Sequence, residues 1–157
     1  MTPEQFRTLL QPVTDHLSGR PLDAALDASL NAAFPADGPV FASIEAACKA
    51  AIAAGWMCNR EGGGIKYGRV IKPDAQLAGC SVDVVEMNDL KGPHHRHPNG
   101  EIDMIMPIDP AAKFDGRGRG WLVYGPDTAH HPTVSGGRAL VLYLLPQGAI
   151  EFTKAAA

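Results

Sequence analysis

A mainly β fold, a sandwich or barrel behind an N-terminal helical segment, is what this sequence predicts. Three observations carry the prediction. Apolar residues recur at helical spacing through the first 58 residues. From Gly62 onward, short runs of β-branched and aliphatic residues alternate with Gly, Pro, Asp and Asn. The longest strongly apolar run, ALVLYLL at 139–145, is apolar at odd and even positions alike, as suits a central strand buried on both faces. The expected organisation is a helical segment over 1–58 and a β-rich unit over 59–157.

The elements follow in order. Thr2, Pro3 and Gln5 have the spacing of an N-cap, an N1 proline and a capping box. Phe6, Leu9, Leu10, Val13 and Leu17 then mark one helix face, and Gly19 and Pro21 end it. A second helix is expected over 22–33, with Leu22, Leu26 and Leu30 in a row, broken by FPADGP. A third, over 40–54, carries Phe41, Ile44, Ala47, Ala51 and Ile52 and stops at Gly55. Expected strands are 65–72, 79–87, 101–108, 120–124, 138–145 and 149–152. EGGGIKYG lacks the Gly-Lys-Ser/Thr ending of a phosphate loop and reads as a turn.

Composition excludes several function classes. Net charge is -3 and no basic stripe occurs, which argues against nucleic acid as a partner. No apolar run approaches the roughly 18 residues of a membrane span, and the N-terminus has no signal pattern. Cys48, Cys58 and Cys80 are odd in number and widely spaced, so a reducing cytoplasm is expected.

The chemistry concentrates in GPHHRHPNGEIDMIMPID, residues 92–109. Strand side chains alternate, so His95 and His97 share a face, roughly 6–7 Å apart along the strand, while His94 and Arg96 take the other. Pro98-Asn99-Gly100 reads as a turn that returns Glu101 to the same imidazoles. His-x-His-x3-Glu therefore offers three ligands on adjacent strand ends. Imidazole with carboxylate suits Zn, Fe, Mn, Ni or Cu rather than Ca. A fourth ligand is expected from His130 or His131, just after the turn in GWLVYGPDTAHHP. Asp103 shares the face of Glu101, as a second catalytic carboxylate or as a partner that orients a histidine. His16, alone in the first helix, reads as solvated or capping.

These motifs resemble the two motifs of the cupin superfamily: His-x-His-x3-Glu, then a Gly/Pro turn ending in His. Gly120 and Pro126 fit the second motif, while Asp89 and Thr128 stand where glycines are usual. Strict spacing selects His131, and the local context PDTAHHP favours His130. HRHPNGEIDMIMPID, FDGRGRGWLVYGPDTAHHPTVSGGRALVLYLLPQGAIEFT and the helical N-terminal third are together similar to the small bacterial 4-hydroxylaminobenzoate lyases. The resemblance implies a cupin-like (jelly-roll) β-barrel. It also implies conversion of 4-hydroxylaminobenzoate to 3,4-dihydroxybenzoate with release of ammonia, a step in nitroaromatic degradation. A divalent ion (Zn, Fe, Mn or Ni) and a homodimer come with it.

That reaction breaks an N–O bond, adds water to the ring and hydrolyses an imine. Glu101, Asp103 and His130 are the expected acid–base groups, with His95, His97, Glu101 and His130 (or His131) around the metal. The substrate carboxylate requires a cation. Arg69 and Arg138 lie in strand patterns and are favoured over Lys66, Arg96 and Arg119. Trp121 and Tyr124, with Met104 and Met106, are expected to line a slot for the aromatic ring. The rival readings are another metal-dependent cupin enzyme such as an Fe(II) dioxygenase, and a non-catalytic cupin that binds a small ligand.

Overall fold

The computed structural model describes residues 1–153; the alanine tail, within 154–157, lies outside the described residues. Three helices come first: α1 (Pro3–Leu17), α2 (Ala24–Ala33) and α3 (Pro39–Ala54). Ten strands follow: β1 (Arg60–Gly62), β2 (Ile65–Ile71), β3 (Cys80–Lys91), β4 (His95–His97), β5 (Glu101–Pro107), β6 (Lys113–Phe114), β7 (Gly120–Tyr124), β8 (Thr128–His130), β9 (Thr133–Pro146) and β10 (Glu151–Phe152). A short 3-10 turn, Ala75–Leu77, precedes β3.

The capping box of α1 is formed: Thr2 accepts from the Gln5 backbone N–H, and Gln5 reaches back to the Thr2 N–H at 2.8 Å. Helix α2 begins two residues later than expected because the Asp23 side chain takes the N-cap position and accepts from the Leu26 N–H. His16 meets Ser29 at 2.6 Å and the ring of Phe34 edge-on, and so joins α1 to the α2 region rather than facing water.

Two antiparallel sheets make up the β portion, giving a mainly β, cupin-like fold. The larger runs β1-β2-β3-β9-β5-β7, with β6 beside β9; the smaller runs β10-β4-β8. Gly63 and Gly64, both at positive φ (59° and 82°), make the tight β1–β2 turn read from EGGGIKYG. β3 and β9 extend beyond the expected strands. Their ladder continues past a register shift between Asn88 and Leu90, where Asp89 takes φ 44°. β1, β6 and β8 were not legible as strands, since two or three residues carry too little alternation.

The central strands of the large sheet, β5 and most of β9, are buried on both faces. Ile102, Met104, Met106, Leu140, Leu142 and Leu144 face the helices and pack with Phe6, Leu10, Leu30, Phe41 and Ile44. The alternate positions Ile105, Val141, Tyr143 and Leu145 face the smaller sheet. This explains why 139–145 is apolar throughout. Helix α2 lies along the β7 edge, where Asn31 brackets Trp121 by accepting its N–H at 3.0 Å and donating to its carbonyl at 2.9 Å. Asp27 accepts from the Val123 N–H at 2.9 Å, so the edge is closed to pairing with another chain.

Candidate metal and catalytic centre

Glu101 and Asp103 stand on the inner face of β5 because side chains alternate along a strand. Across the gap, His95 and His97 point inward from β4, and His130 points inward from β8. His95 and His130 are direct partners in the β4–β8 ladder. The turn before β5 depends on Gly100. Its φ is 86°, and a Cβ there would lie 2.6 Å from both Leu22 Cδ2 and the Tyr124 carbonyl oxygen.

Ligand atoms of His95, His97, Glu101 and His130 all lie within 4.8 Å of one another. The Nε2 of His95 is 2.8 Å from that of His97 and 3.0 Å from that of His130. Glu101 Oε2 is 3.2 Å from His97 Nε2 and 3.8 Å from His130 Nε2; Oε1 is 3.8 Å from His95 Nε2. Both Glu101 oxygens are buried, and among the described residues neither has a hydrogen-bond partner. A buried, unpartnered carboxylate ringed by imidazole nitrogens is costly by itself and suited to a cation. Nitrogens about 3 Å apart match neighbouring ligands that each sit about 2.0–2.1 Å from one ion. The residues present therefore fit a divalent transition metal. His131 does not join them; its Nδ1 meets the Gly92 carbonyl at 3.0 Å, and its ring packs on His94.

The electrostatics set the two carboxyls apart. Burial raises the Glu101 carboxyl, while the imidazoles of His95 and His97, whenever they carry a proton toward it, bring it below the ordinary value. Burial, and then the Glu101 charge beside it, pushes Asp103 well above the usual carboxylate range. Burial also opposes ionisation of Asp115, but hydrogen bonds from His130 and Tyr124 bring its carboxyl below the ordinary value. The Tyr124 hydroxyl is raised by burial and by Asp115.

A cavity of about 1070 Å³ opens beside the cluster, with His95 and Tyr143 in its wall. Arg60, Arg69, Lys72 and Lys91 make its cationic side, and Tyr67 and Phe152 are aromatic groups at its exposed side. Arg69 lies in this wall, where Asp83 holds its Nε at 3.0 Å and its Nη2 at 3.2 Å.

Several expected substrate contacts sit elsewhere. Trp121 is fully buried against Phe34 and Phe41 on the helix side, with Nε1 donating to the Phe34 carbonyl at 2.9 Å. Met104 and Met106 also face the helices, because Glu101 and Asp103 occupy the other parity of β5. Arg138 shares the parity of Leu140, is half-exposed and meets Glu86 at 3.3 Å, so it lies outside the cavity. Tyr124 stands beside the site, its ring 4.7 Å from that of His130, but its hydroxyl donates to Asp115 at 2.5 Å. Asp115 was missed by sequence reasoning, since an aspartate before glycine in FDGRG reads as a plain turn. Arg60, Lys72 and Lys91 were missed because nothing local separates them from surface charges.

Residues 8–152 match the sequence profile of PnbB, 4-hydroxylaminobenzoate lyase. A protein from Nocardioides sp. (strain LMS-CY) named 4-hydroxylaminobenzoate lyase is 33% identical over 113 residues, covering 66% of this chain and 67% of that one. A protein of the same name from Pseudomonas putida is 30% identical over 118 residues, covering 64% of this chain and 67% of that one. Among solved structures, an RmlC-like cupin protein from Ralstonia eutropha superposes with a TM-score of 0.45 at 12% identity, over 59% of this chain and 61% of that one. With the profile running from the first helix to the last strand, the chain belongs to the 4-hydroxylaminobenzoate lyase family.

Proposed function

We propose that this protein is a lyase that converts 4-hydroxylaminobenzoate to 3,4-dihydroxybenzoate and ammonia at a divalent ion held by His95, His97, Glu101 and His130. The observation that carries the reading is the convergence of three imidazole nitrogens on a buried, unpartnered Glu101, in a chain of this family. The net reaction takes up one water and releases one ammonia, so no redox cofactor is needed. The N–O bond breaks and its oxygen leaves with a proton as water. A water oxygen then bonds to the neighbouring ring carbon and leaves an imine. A further water hydrolyses that C=N bond and expels ammonia, and loss of the ring proton restores aromaticity.

An ion bound there supplies a Lewis acid for the hydroxylamine oxygen. Glu101, facing the imidazoles, and Asp103, beside it on the same strand face, are placed to take up and return protons. Arg69 and the lysines of the cavity wall are the cations offered to the substrate carboxylate, and the barrel interior restricts the water that reaches the imine. The same reading places the protein in the cytoplasm as a homodimer. Three buried, unpaired cysteines fit a reducing compartment, and among the described residues no helix is long and apolar enough to cross a membrane.

Metal analysis of the purified protein, with an anaerobic assay on 4-hydroxylaminobenzoate, tests the proposal. Equal amounts of ammonia and 3,4-dihydroxybenzoate are expected without nicotinamide, flavin or oxygen. An oxygen requirement would favour a dioxygenase. Unchanged substrate with metal-replete protein would overturn the substrate assignment.

A further inference from the structure

We infer that Asp115 and Thr128, which offer no atom to the four-residue cluster, are positioning residues that lock His130 and His97 in the tautomer whose Nε2 lone pair faces that cluster. The inference rests on the site reading above. Asp115 Oδ2 accepts from His130 Nδ1 at 2.6 Å and from the Tyr124 hydroxyl at 2.5 Å, while Oδ1 accepts from the Thr133 N–H at 2.9 Å. An ionised carboxylate only accepts, so His130 must carry its hydrogen on Nδ1. The Thr128 hydroxyl donates to the Gly125 carbonyl at 2.8 Å. Toward His97 Nδ1, 2.9 Å away, its oxygen can then only accept, and His97 also carries its hydrogen on Nδ1.

Both rings therefore turn a bare Nε2 inward, toward a shared partner at His95 Nε2 and the oxygens of Glu101. Lone pairs and a carboxylate gathered this closely repel one another, so the arrangement persists only if outside groups hold it. Asp115 is itself held. It sits at φ 49°, which aspartate tolerates better than most residues, and its N–H donates to the Thr133 carbonyl at 2.8 Å. The two-residue strand β6, paired with the start of β9, delivers it behind His130. Thr128, which stands where the cupin pattern usually has glycine, supplies a hydroxyl that glycine lacks.

Asp115→Asn separates the tautomer effect from a loss of volume. An amide has one accepting atom where the carboxylate has two. If its oxygen stays on the Thr133 N–H, its NH2 faces His130 and drives the hydrogen to Nε2. If it flips, the NH2 meets the Thr133 N–H instead.

The test combines two measurements. Long-range 1H–15N NMR spectra of the metal-free protein report which ring nitrogen bears the hydrogen, and competition with a chromogenic chelator gives the Zn2+ affinity. Expected are Nδ1–H tautomers at His97 and His130 in the wild type. Asp115→Asn should weaken Zn2+ binding by about 10–100-fold with circular dichroism unchanged, as loss of a partner that orients a ligand typically does. Thr128→Val should weaken it in the same direction, and Thr128→Ser should restore it. Wild-type Zn2+ affinity in Asp115→Asn, or an Nε2–H tautomer at His130 in the wild type, would overturn the inference. If Asp115→Asn fails to fold, the wild-type spectrum and the Thr128 pair decide. A wild type that takes up no Zn2+ would overturn the site reading instead, while the metal-free spectrum still decides the tautomers.

Discussion

His95 and His130 face each other in register across β4 and β8, with Nε2 atoms 3.0 Å apart although 35 positions separate them in sequence. The ladder decides which histidine of the pair at 130–131 reaches the cluster. A slip of one residue would send His130 to the opposite face.

His130→Ala and His131→Ala should therefore differ sharply. The first removes an inward nitrogen and should lower Zn2+ affinity by at least about tenfold, on the order of 1.4 kcal/mol. The second removes a ring that, among the described residues, hydrogen-bonds the Gly92 carbonyl and packs on His94, and should leave affinity within about twofold of wild type. Chelator competition on the two proteins checks this; equal losses would contradict the geometry.

Glu101→Gln should lose most ammonia release, by about 10²-fold or more, while the protein stays folded. The amide keeps the shape but can neither take up a proton nor bring a negative charge to the imidazoles. Steady-state ammonia assays beside thermal melts separate lost chemistry from lost structure.

The cationic side of the cavity sets a prediction about substrate binding. Lys91→Ala and Arg69→Ala should each raise KM for 4-hydroxylaminobenzoate by about tenfold, since a hydrogen bond to a charged group contributes about 1.5–3 kcal/mol. Neither should alter KM for the analogue with hydrogen in place of the carboxylate. Arg138→Ala, on the other face of the sheet, should change neither.

Gly100→Ala should damage stability and site together. It forces a side chain into φ 86° and to within 2.6 Å of Leu22 and of the Tyr124 backbone. The strain alone costs about 1–3 kcal/mol. The displaced turn carries Glu101, so denaturant melts and Zn2+ affinity should fall in the same protein.

The cysteines predict a loss of stability at alkaline pH. Burial pushes the thiols of Cys80 and Cys58 up to about 11 and about 12, and raises Cys48 further. Well below the ordinary thiol value of about 8.5 these thiols are protonated in both folded and unfolded chains and contribute no pH dependence. Between about pH 9 and 11 the unfolded chain releases protons that the folded one retains, so stability should fall by at most about 1.4 kcal/mol per pH unit per thiol. Denaturant titrations from pH 8 to 11 check the slope, and a Cys58→Ser, Cys80→Ser variant should show a shallower one. At pH 8 the native thiols should not react with a disulfide reagent.

Periodicity and spacing alone determined the order of the helices and longer strands, the two-faced burial of 139–145, and the pairing of His95 with His97 on one strand face and of Glu101 with Asp103 on another. Those features are local: they follow from a period of 3.6 or 2 and from a Gly100 turn, and no distant residue is needed to state them. Tertiary structure alone decided between His130 and His131, put Trp121, Met104 and Met106 against the helices, and set Asp115 behind His130. Each of these depends on which strands pair and in what register. A buried strand offers apolar side chains to two faces, and only the packing says which face meets the helices and which meets the site. The N–H of His130 finds its carboxylate just after a two-residue strand too short to leave a pattern, because that contact is made by the β6–β9 pairing and not by the sequence around either residue.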